Sequence, residues 1–395
     1  MQTTLQNNRL KKQYDWEYIK KRFGWNAQLC SVEEQSFIGE AISLLRSQYE
    51  YADECYPEYF DWEYIKNPAG KPVIWVAKSR NEIIGMFIAN RIQFKVNGEL
   101  KQGSIAVKNL VRKDYRGKGI YIYLGNKNLE TCNNQGIDFT FGFPNKNSYK
   151  ACLERLGFID IGEVPFLIKP ISAGGFIKRK VKNKFVNVFM CSFLWAFLLG
   201  IKASYAFREV FFMIPGKHDK VRIKEIKRFD EKINIFWEKA QKKYQNIAVR
   251  DMSALNWKYC DNPRRYYRIF VAENKNGEII AYGIGRVATI NGIKIGAIVD
   301  VLSLDDKLAY DGAFLVIKHL LKYFETSSVE FAACLMLADK KYFKLLKKSY
   351  FFVCPKKIKP HLFRFVIKIH NDSISNGEGF ALKKWFVTLG DYDVL

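Results

Sequence analysis

The stretch that decides the reading is Val111–Leu124, "VRKDYRGKGIYIYL". It joins an apolar run, "IAVKNLV" (Ile105–Val111), which predicts a strand, to a run around Tyr121–Asn134 that predicts a helix. Gly117 and Gly119 let the backbone take left-handed or close-approach conformations at that junction. A helix beginning there aims its unpaired N–H groups and positive dipole end at whatever occupies the turn. Arg116 and Lys118 add positive charge, so the turn is expected to cradle a diphosphate. Neither the phosphate-loop pattern GxxxxGK(S/T) nor the dinucleotide fingerprint GxGxxG fits it.

The surroundings of this turn occur twice. "FDWEYIKNP" (Phe60–Pro68) returns as "LNWKYCDNP" (Leu255–Pro263), with Trp62 and Trp257 195 positions apart. Further on, "WVAKSRNEIIGMFIANR" aligns with "FVAENKNGEIIAYGIGR" and "VNGELKQGSIAVKNL" with "INGIKIGAIVDVL". "LERLGF" (Leu153–Phe158) aligns with "LKKSYF" (Leu346–Phe351). An offset that stays between 193 and 196 over this length predicts a tandem duplication of one module. Each module reads as a helical entry, a hairpin of two or three strands, a central strand, a helix, another strand and another helix. Asn97–Gly98 and Asn291–Gly292 mark the hairpin turns, and Ile137–Phe143 and Ser148–Leu156 are the next strand and helix of the first copy. The fold class is α/β (α+β), two tandem modules each with a mixed twisted sheet flanked by helices. The expected division is an N-terminal extension 1–30, a catalytic module 31–215 with a basic and apolar helical insert 172–204, and a degenerate second module 216–395. Where the first copy has "RKDYRGKGIY" the second has "SLDDKLAYDG" (Ser303–Gly312), acidic and with its glycine displaced, so the second module is expected to be architectural.

Composition bounds the chemistry. In 395 residues, 48% hydrophobic and 15% aromatic content supply two cores and exclude a disordered chain. With 64 Lys and Arg against 40 Asp and Glu, the formal charge of +24 favours nucleotides, anionic lipid or phosphorylated sugars. No helix-turn-helix, zinc-finger or RNP-like pattern appears, so no nucleic acid is expected. The eight cysteines are scattered, with no CxxC and no Cys/His cluster, which reads as buried thiols and no metal. "MQTTLQNNRLKKQYD" lacks the apolar core of a secretion signal, and a cytoplasmic protein is expected.

Some twenty residues past the turn comes "FGFPNKNSYKACLERLGF" (Phe141–Phe158). A strand, an RGKG turn, GFPNxxS and a terminal LGF together resemble the GNAT superfamily of acetyl-CoA-dependent N-acetyltransferases. The resemblance covers most of the first half, and the second half only through the repeat. Asp114 stands where the family often has Gln or Arg, and Tyr121 where it has Gly or Ala. The resemblance implies acetyl-CoA as co-substrate, with its pyrophosphate on Arg116, Gly117, Lys118, Gly119 and Ile120. It further implies a backbone N–H near Leu110 or Val111 for the thioester carbonyl, an Asn145 contact to the pantetheine arm, and Tyr149 as general acid for the departing thiolate.

The expected function is transfer of an acetyl group to a primary amine, a small molecule or glycan. An amino sugar in a nucleotide-sugar or lipid-linked glycan pathway is indicated by faint resemblance to acetyltransferases of surface-polysaccharide synthesis and by the basic field. An attacking amine must be neutral, so the base candidates are ordinary carboxylates reached directly or through water. Some tandem GNAT enzymes, among them N-myristoyltransferases, thread the chain terminus into the first module and use its carboxylate as base. The ending "GDYDVL" is similar in position and acidity, so Asp391, Asp393 or the Leu395 carboxylate is expected to be the base, with Glu163 and Asp300 as alternatives. The run 176–202, basic then apolar, is either a helix buried between modules or an element lying on an anionic membrane surface, which would hold the protein at the inner face of the membrane. Two other functions compete: an aminoacyl transferase of the peptidoglycan-bridge type using charged tRNA, and a non-catalytic polyanion or membrane binder on the same fold. The intact coenzyme turn argues against both.

Overall fold

The computed structural model describes residues 15–31, 35–49, 53–172, 221–290, 292–337, 340–356, 359–360, 362–371 and 381–392, with single residues 196, 199, 200 and 203. The insert expected over 172–204, including the run 176–202, lies almost wholly outside the described residues. So do the first fourteen residues, Asn291, Asp393 and Leu395.

In chain order the first half gives helix α1 (Trp16–Phe23), strand β1 (Asn26–Cys30), helix α2 (Gln35–Arg46) and helix α3 (Pro57–Phe60), which continues into a π-helical turn (Asp61–Ile65). Strands β2 (Val73–Ser79), β3 (Glu82–Val96) and β4 (Glu99–Val111) follow, then α4 (Ile120–Asn134), β5 (Phe139–Gly142), α5 (Lys146–Arg155), β6 (Ile159–Glu163) and β7 (Phe166–Pro170). The second half repeats the order: β8 (Val221–Ile226), α6 (Lys232–Ala240), β9 (Asn246–Ala248), α7 (Met252–Leu255) with its own π-helical turn (Asn256–Cys260), then β10 (Arg268–Asn274), β11 (Ile279–Ile290) and β12 (Ile293–Ser303). It continues with α8 (Lys307–Thr326), β13 (Phe331–Leu337), α9 (Lys340–Lys348), β14 (Phe352–Val353), β15 (Arg364–Ile369) and β16 (Trp385–Thr388). Among the described residues no helix is long and apolar enough to cross a membrane.

Local chemistry sets the boundaries. The Asp15 carboxylate caps α1 by accepting from Tyr18 N at 2.9 Å, and Gly24 ends it in the left-handed region. The Asn97–Gly98 turn between β3 and β4 has φ of 51° and 86°, the geometry that residue pair favours in a two-residue hairpin. Arg80–Asn81 makes the β2–β3 turn with φ of 50° and 66°. Residues 26–30, assigned by the sequence to an extension, instead pair as β1 with β2 (Asn26↔Lys78 to Cys30↔Ile74). "NAQLC" alternates polar and apolar over only its first four residues, too short a run to announce a strand.

The chain forms two compact units, and they do not follow a single cut at 215/216. Unit one is Met1–Glu163 with Asp261–Arg264 and His361–Lys384; unit two is Val164–Cys260 with Arg265–Pro360 and Trp385–Leu395. In unit one the strand order is β1-β2-β3-β4-β5-β15-β6. β15, from the second half, lies antiparallel between β5 and β6, and only β4 and β5 are parallel. In unit two the order β8-β10-β11-β12-β13 ends on β7, from the first half, with β14 beyond it. Each half thus lends one strand to the other's sheet.

Unit one buries apolar side chains on both sheet faces. Phe37, Ala41 and Leu45 of α2 pack with Phe60, Tyr64, Ile74, Val76, Met86 and Leu110 on one face. Ile120 and Leu124 of α4, with Cys152 and Leu156, pack with Ala77, Ile84, Phe87 and Val111 on the other. Burying a side chain of this size contributes about 1.5–3 kcal/mol.

Candidate active site

β4 and β5 pair only from Gly103↔Phe139 to Ile105↔Phe141. Beyond that, β4 runs on along β3 to Val111 while β5 ends at Gly142, so the two strands part at their carboxyl ends. Ligands in open α/β sheets enter at such a parting. β4 also bulges here: Met86 faces Leu110 and Ile88 faces Val107, so Lys108 and Asn109 together stand opposite the single residue Phe87. Lys108 has φ of 49°, and Asn109 Oδ1 accepts from Ile88 N at 2.8 Å. Arg112 N donates to Ile84 O at 2.8 Å. Because antiparallel partners alternate, Leu110 N–H then faces β3 and Val111 N–H points out along the free edge.

The turn that follows is built around its glycines. Gly117 and Gly119 have φ of 75° and 78°, and Gly119 is the N-cap of α4, with no side chain capping the helix. Among the described residues no acceptor takes the N–H groups of Gly117, Lys118, Gly119, Ile120 or Tyr121. A row of open donors at a helix N-terminus is suited to hold an anion. A Cβ on Gly117 would meet nothing within 4 Å, whereas one on Gly119 would stand 3.1 Å from the Trp16 ring of α1. The nearby charges are disposed in particular ways. Arg112 holds Asp114 (2.9 Å) and Glu82 (2.9 Å), and its hydrogen bond lowers the Asp114 pKa. The departure from the family pattern at Asp114 is therefore neutralised beside the turn. Arg116 folds back, its Nε on Val111 O at 3.2 Å and its Nη2 on Gln48 Oε1 at 2.6 Å. Lys118 Nζ lies 4.3 Å from the centre of the Tyr115 ring. Tyr121 packs into the core against Phe87, with its hydroxyl 3.3 Å from Cys152 Sγ, so its bulk points away from the turn.

Asn145 caps α5, its Oδ1 accepting from Asn147 N at 2.9 Å and Ser148 N at 3.1 Å; its amide nitrogen remains for another partner. Tyr149, in the first turn of that helix, donates its hydroxyl to Asp160 of β6. Asp160 also accepts from Arg364 Nε at 3.0 Å and, on its other oxygen, from Gly162 N at 2.9 Å. Donation to the carboxylate, with part burial, raises the phenol's pKa. The sequence does not reveal Asp160 and Arg364, because Arg364 arrives on β15 from 204 residues away. Glu163 ends β6 opposite Arg364 in the strand register. Lys108 Nζ in the bulge lies 3.3 Å from Glu54 and 3.9 Å from Glu63, whose side chain is 4% exposed. Nothing in the sequence marks these two acids, since neither belongs to a motif.

Unit two treats the same positions differently. The Asp306 carboxylate caps α8 by accepting from Ala309 N at 2.9 Å, so that helix answers its own donors with a negative charge. β12 and β13 also pair only briefly, Ile295↔Phe331 to Ile298↔Cys334. β7 holds the far edge of β13, and Met336 and Leu337 then pair on the near edge with Thr388 and Val387 of β16. Trp385, Phe386 and Val387 of β16 are buried. Asp391, directly after β16, is buried: its Oδ2 accepts from Arg250 Nη2 at 2.8 Å and from Thr388 N at 2.9 Å. Arg250 Nε holds Asp300 at 3.0 Å, and Tyr282 donates to the same Asp300 oxygen at 3.1 Å. Burial opposes the Arg250 charge, but the Asp300 and Asp391 carboxylates outweigh it and hold the guanidinium protonated.

Comparison with known proteins places the family match on the part of unit one that holds the glycine turn. A family described as "Acetyltransferase (GNAT) domain" matches residues 34–159. Among solved structures, N-myristoyltransferase of Saccharomyces cerevisiae with bound myristoyl-CoA aligns with a TM-score of 0.58 at 11% identity, over 88% of this chain and 83% of that one. A GCN5-related N-acetyltransferase from Anabaena variabilis aligns with a TM-score of 0.56 at 13% identity, over 88% and 74%. A probable N-acyltransferase of unknown function from Enterococcus faecalis gives 0.52 at 12% identity, over 87% and 72%. No curated protein matches the chain in sequence.

Proposed function

The domain spanning residues 34–159 belongs to the GNAT superfamily of acyl-CoA-dependent N-acyltransferases, and from that premise we propose that this chain moves an acetyl group from acetyl-CoA to the primary amine of an amino sugar. The observation that carries the reading is the row of unanswered N–H groups from Gly117 to Tyr121, beside the free edge of β4. The pyrophosphate is read onto those donors and onto Lys118, and the pantetheine arm between the parted strands, beside Asn145. Val111 N–H faces the thioester oxygen. A single preorganised donor of that kind contributes roughly 3–4 kcal/mol to the transition state.

The acceptor amine attacks the thioester carbon, the C–S bond breaks, and coenzyme A leaves as a thiolate that must take a proton. Tyr149 is the acid in this reading, its raised pKa keeping the phenol protonated over the working range. Glu54 and Glu63 stand around Lys108 in the β4 bulge, and in this reading one of them takes the amine proton, directly or through water. The burial of Asp391 with Arg250 favours an anchoring role for that acid. A cytoplasmic reaction on a nucleotide-linked or lipid-linked sugar suits the +24 charge, which draws in phosphorylated acceptors.

The test is a thiol-release assay with acetyl-CoA against amino-sugar nucleotides, simple polyamines and peptide amines. Turnover on the amino-sugar nucleotide at least about tenfold above the others, as kcat/KM, supports the proposed acceptor. Preference for a peptide or polyamine removes that acceptor and leaves the acyltransferase. Failure to bind any acyl-CoA removes the whole reading.

A further inference from the structure

Unit two carries a basic surface with exposed apolar residues, and nothing in the acyl-transfer chemistry uses it. Residues 340–360, "KKYFKLLKKSYFFVCPKKIKP", contain eight lysines and no acid. The chain as a whole has 64 basic residues against 40 acidic ones, so this segment departs from the average by lacking acids altogether. α9 is strongly two-faced. Tyr342, Leu345, Leu346 and, just past the helix, Ser349 face inward, while Lys344, Lys347 and Lys348 are exposed. Among the described residues no carboxylate lies within ion-pair distance of Lys344, Lys347, Lys348 or Lys356, so their charge is left for solvent or a partner.

The apolar part adjoins it through a fixed turn. Tyr350 takes φ of 62°, Phe351 N donates to Leu346 O at 2.9 Å and Tyr350 N to Lys347 O at 2.9 Å. This paired closure ends α9 sharply and starts β14 against its last turn. β14 is an outer strand: Phe352 and Val353 pair with Ile168 and Leu167 of β7, and β14 pairs with no other strand among the described residues. The two residues point to opposite faces of the sheet, yet Phe352 is 43% exposed and Val353 51%. Unshielded lysines thus flank two bare apolar side chains on a strand edge.

We propose that α9 and β14 form a docking surface for an anionic phospholipid bilayer, the lysines meeting the headgroup phosphates and Phe352 and Val353 entering the interface. Lysine is suited to diffuse anionic surfaces because its ammonium is a point charge that needs no planar partner. Anionic lipid draws basic residues at about 1 kcal/mol each, and buried apolar area adds to that. A nucleic acid would use the lysines but gain nothing from Val353, so the apolar pair separates the two partners.

The experiment is co-sedimentation of the full chain with phosphatidylglycerol-containing vesicles and with pure phosphatidylcholine vesicles. The full chain is expected on the anionic vesicles and not on the neutral ones. K344E/K347E/K348E should weaken partitioning by at least about 100-fold. F352S/V353S should weaken it about tenfold, and that loss should persist in 0.5 M salt, where charge attraction is screened. The neutral K344Q/K347Q/K348Q variant repeats the test should charge reversal lower the melting temperature. Partitioning unchanged in both the charge and apolar variants overturns the proposal. So does binding to duplex DNA that matches vesicle binding and ignores the Phe352 and Val353 changes. No acyl transfer enters the measurement, so its outcome is separate from the acyltransferase reading.

Discussion

At the scale of single residues, the Tyr149–Asp160–Arg364 cluster makes a pH prediction. The Asp160 carboxylate stabilises the protonated phenol and so raises its pKa, by a hydrogen bond first and by charge second. D160N removes that stabilisation, so the alkaline limb of kcat should move to lower pH, while Y149F should lower kcat and leave coenzyme A affinity unchanged. A pH–rate profile on both variants checks this; a Y149F enzyme with full kcat would remove Tyr149 from the reaction. His370 gives a stability prediction of the opposite kind. Its Nε2 is 2.8 Å from Thr140 Oγ1, which in turn meets Ser104 Oγ at 2.8 Å, and burial with the nearby Lys368 charge lowers its pKa from 6.5 to about 4. The folded state keeps His370 neutral where the unfolded chain already binds a proton. Its contribution is therefore complete above pH 6.5, lost as pH falls from 6.5 towards 4, and level below that. H370Q should flatten that part of the acid slope by on the order of 1 kcal/mol in urea unfolding at pH 7.5 and 4.5. Neither cluster could be read from sequence, because each joins side chains from strands that meet only in the folded sheet.

At the scale of elements, the two helices that follow the central strands explain why one module is expected to bind coenzyme A. α4 begins on Gly119 with its donors open, and α8 begins on Asp306 with its own carboxylate on Ala309 N. G117D or G119D places negative charge where the donors converge and should abolish binding. G117A tests conformation alone: its Cβ has room, but a left-handed φ costs an alanine roughly 1–2 kcal/mol, so affinity should fall less. D306A should cost about 1 kcal/mol of stability through the lost cap and leave coenzyme A at one per chain, read by calorimetry. Two equivalent sites per chain would overturn this assignment. These features were legible beforehand. Gly117, Gly119 and the Asn97–Gly98 turn state their backbone requirement in their own residue type, and "SLDDKLAYDG" shows its acidity directly. The filling of the second parting by β16 was not legible, because "WFVT" reads as a short apolar run like any buried strand and nothing local names its neighbours.

At the scale of the whole molecule, the exchanged strands make the strongest demand. A division at 215/216 follows the repeat, since duplicated sequence suggests two halves that fold separately. The sheets contradict such independence at the backbone. β15 supplies partners to both β5, from Val366↔Gly142 to Ile369↔Phe139, and β6, from Arg364↔Glu163 to Ile367↔Ile159. Without it β6 loses its neighbour, and Phe139 and Phe141, both nearly inaccessible, lose the strand beside them. β7 serves unit two in the same way, pairing Phe331–Leu335 of β13 on one edge and β14 on the other. Buried main-chain groups left without partners cost about 1–3 kcal/mol each, and either half alone would leave several. Fragment 1–215 expressed alone should therefore fail to give a cooperative melt or bind coenzyme A, although it contains the whole glycine turn. Co-expression of 1–215 with 216–395 should restore both, because the missing strand is then supplied in trans. A soluble 1–215 fragment with native affinity would show that β15 is dispensable and that the boundary suggested by the repeat is also the boundary of folding. Failure of co-expressed halves to associate would show instead that the covalent connection is needed to bring the exchanged strands home.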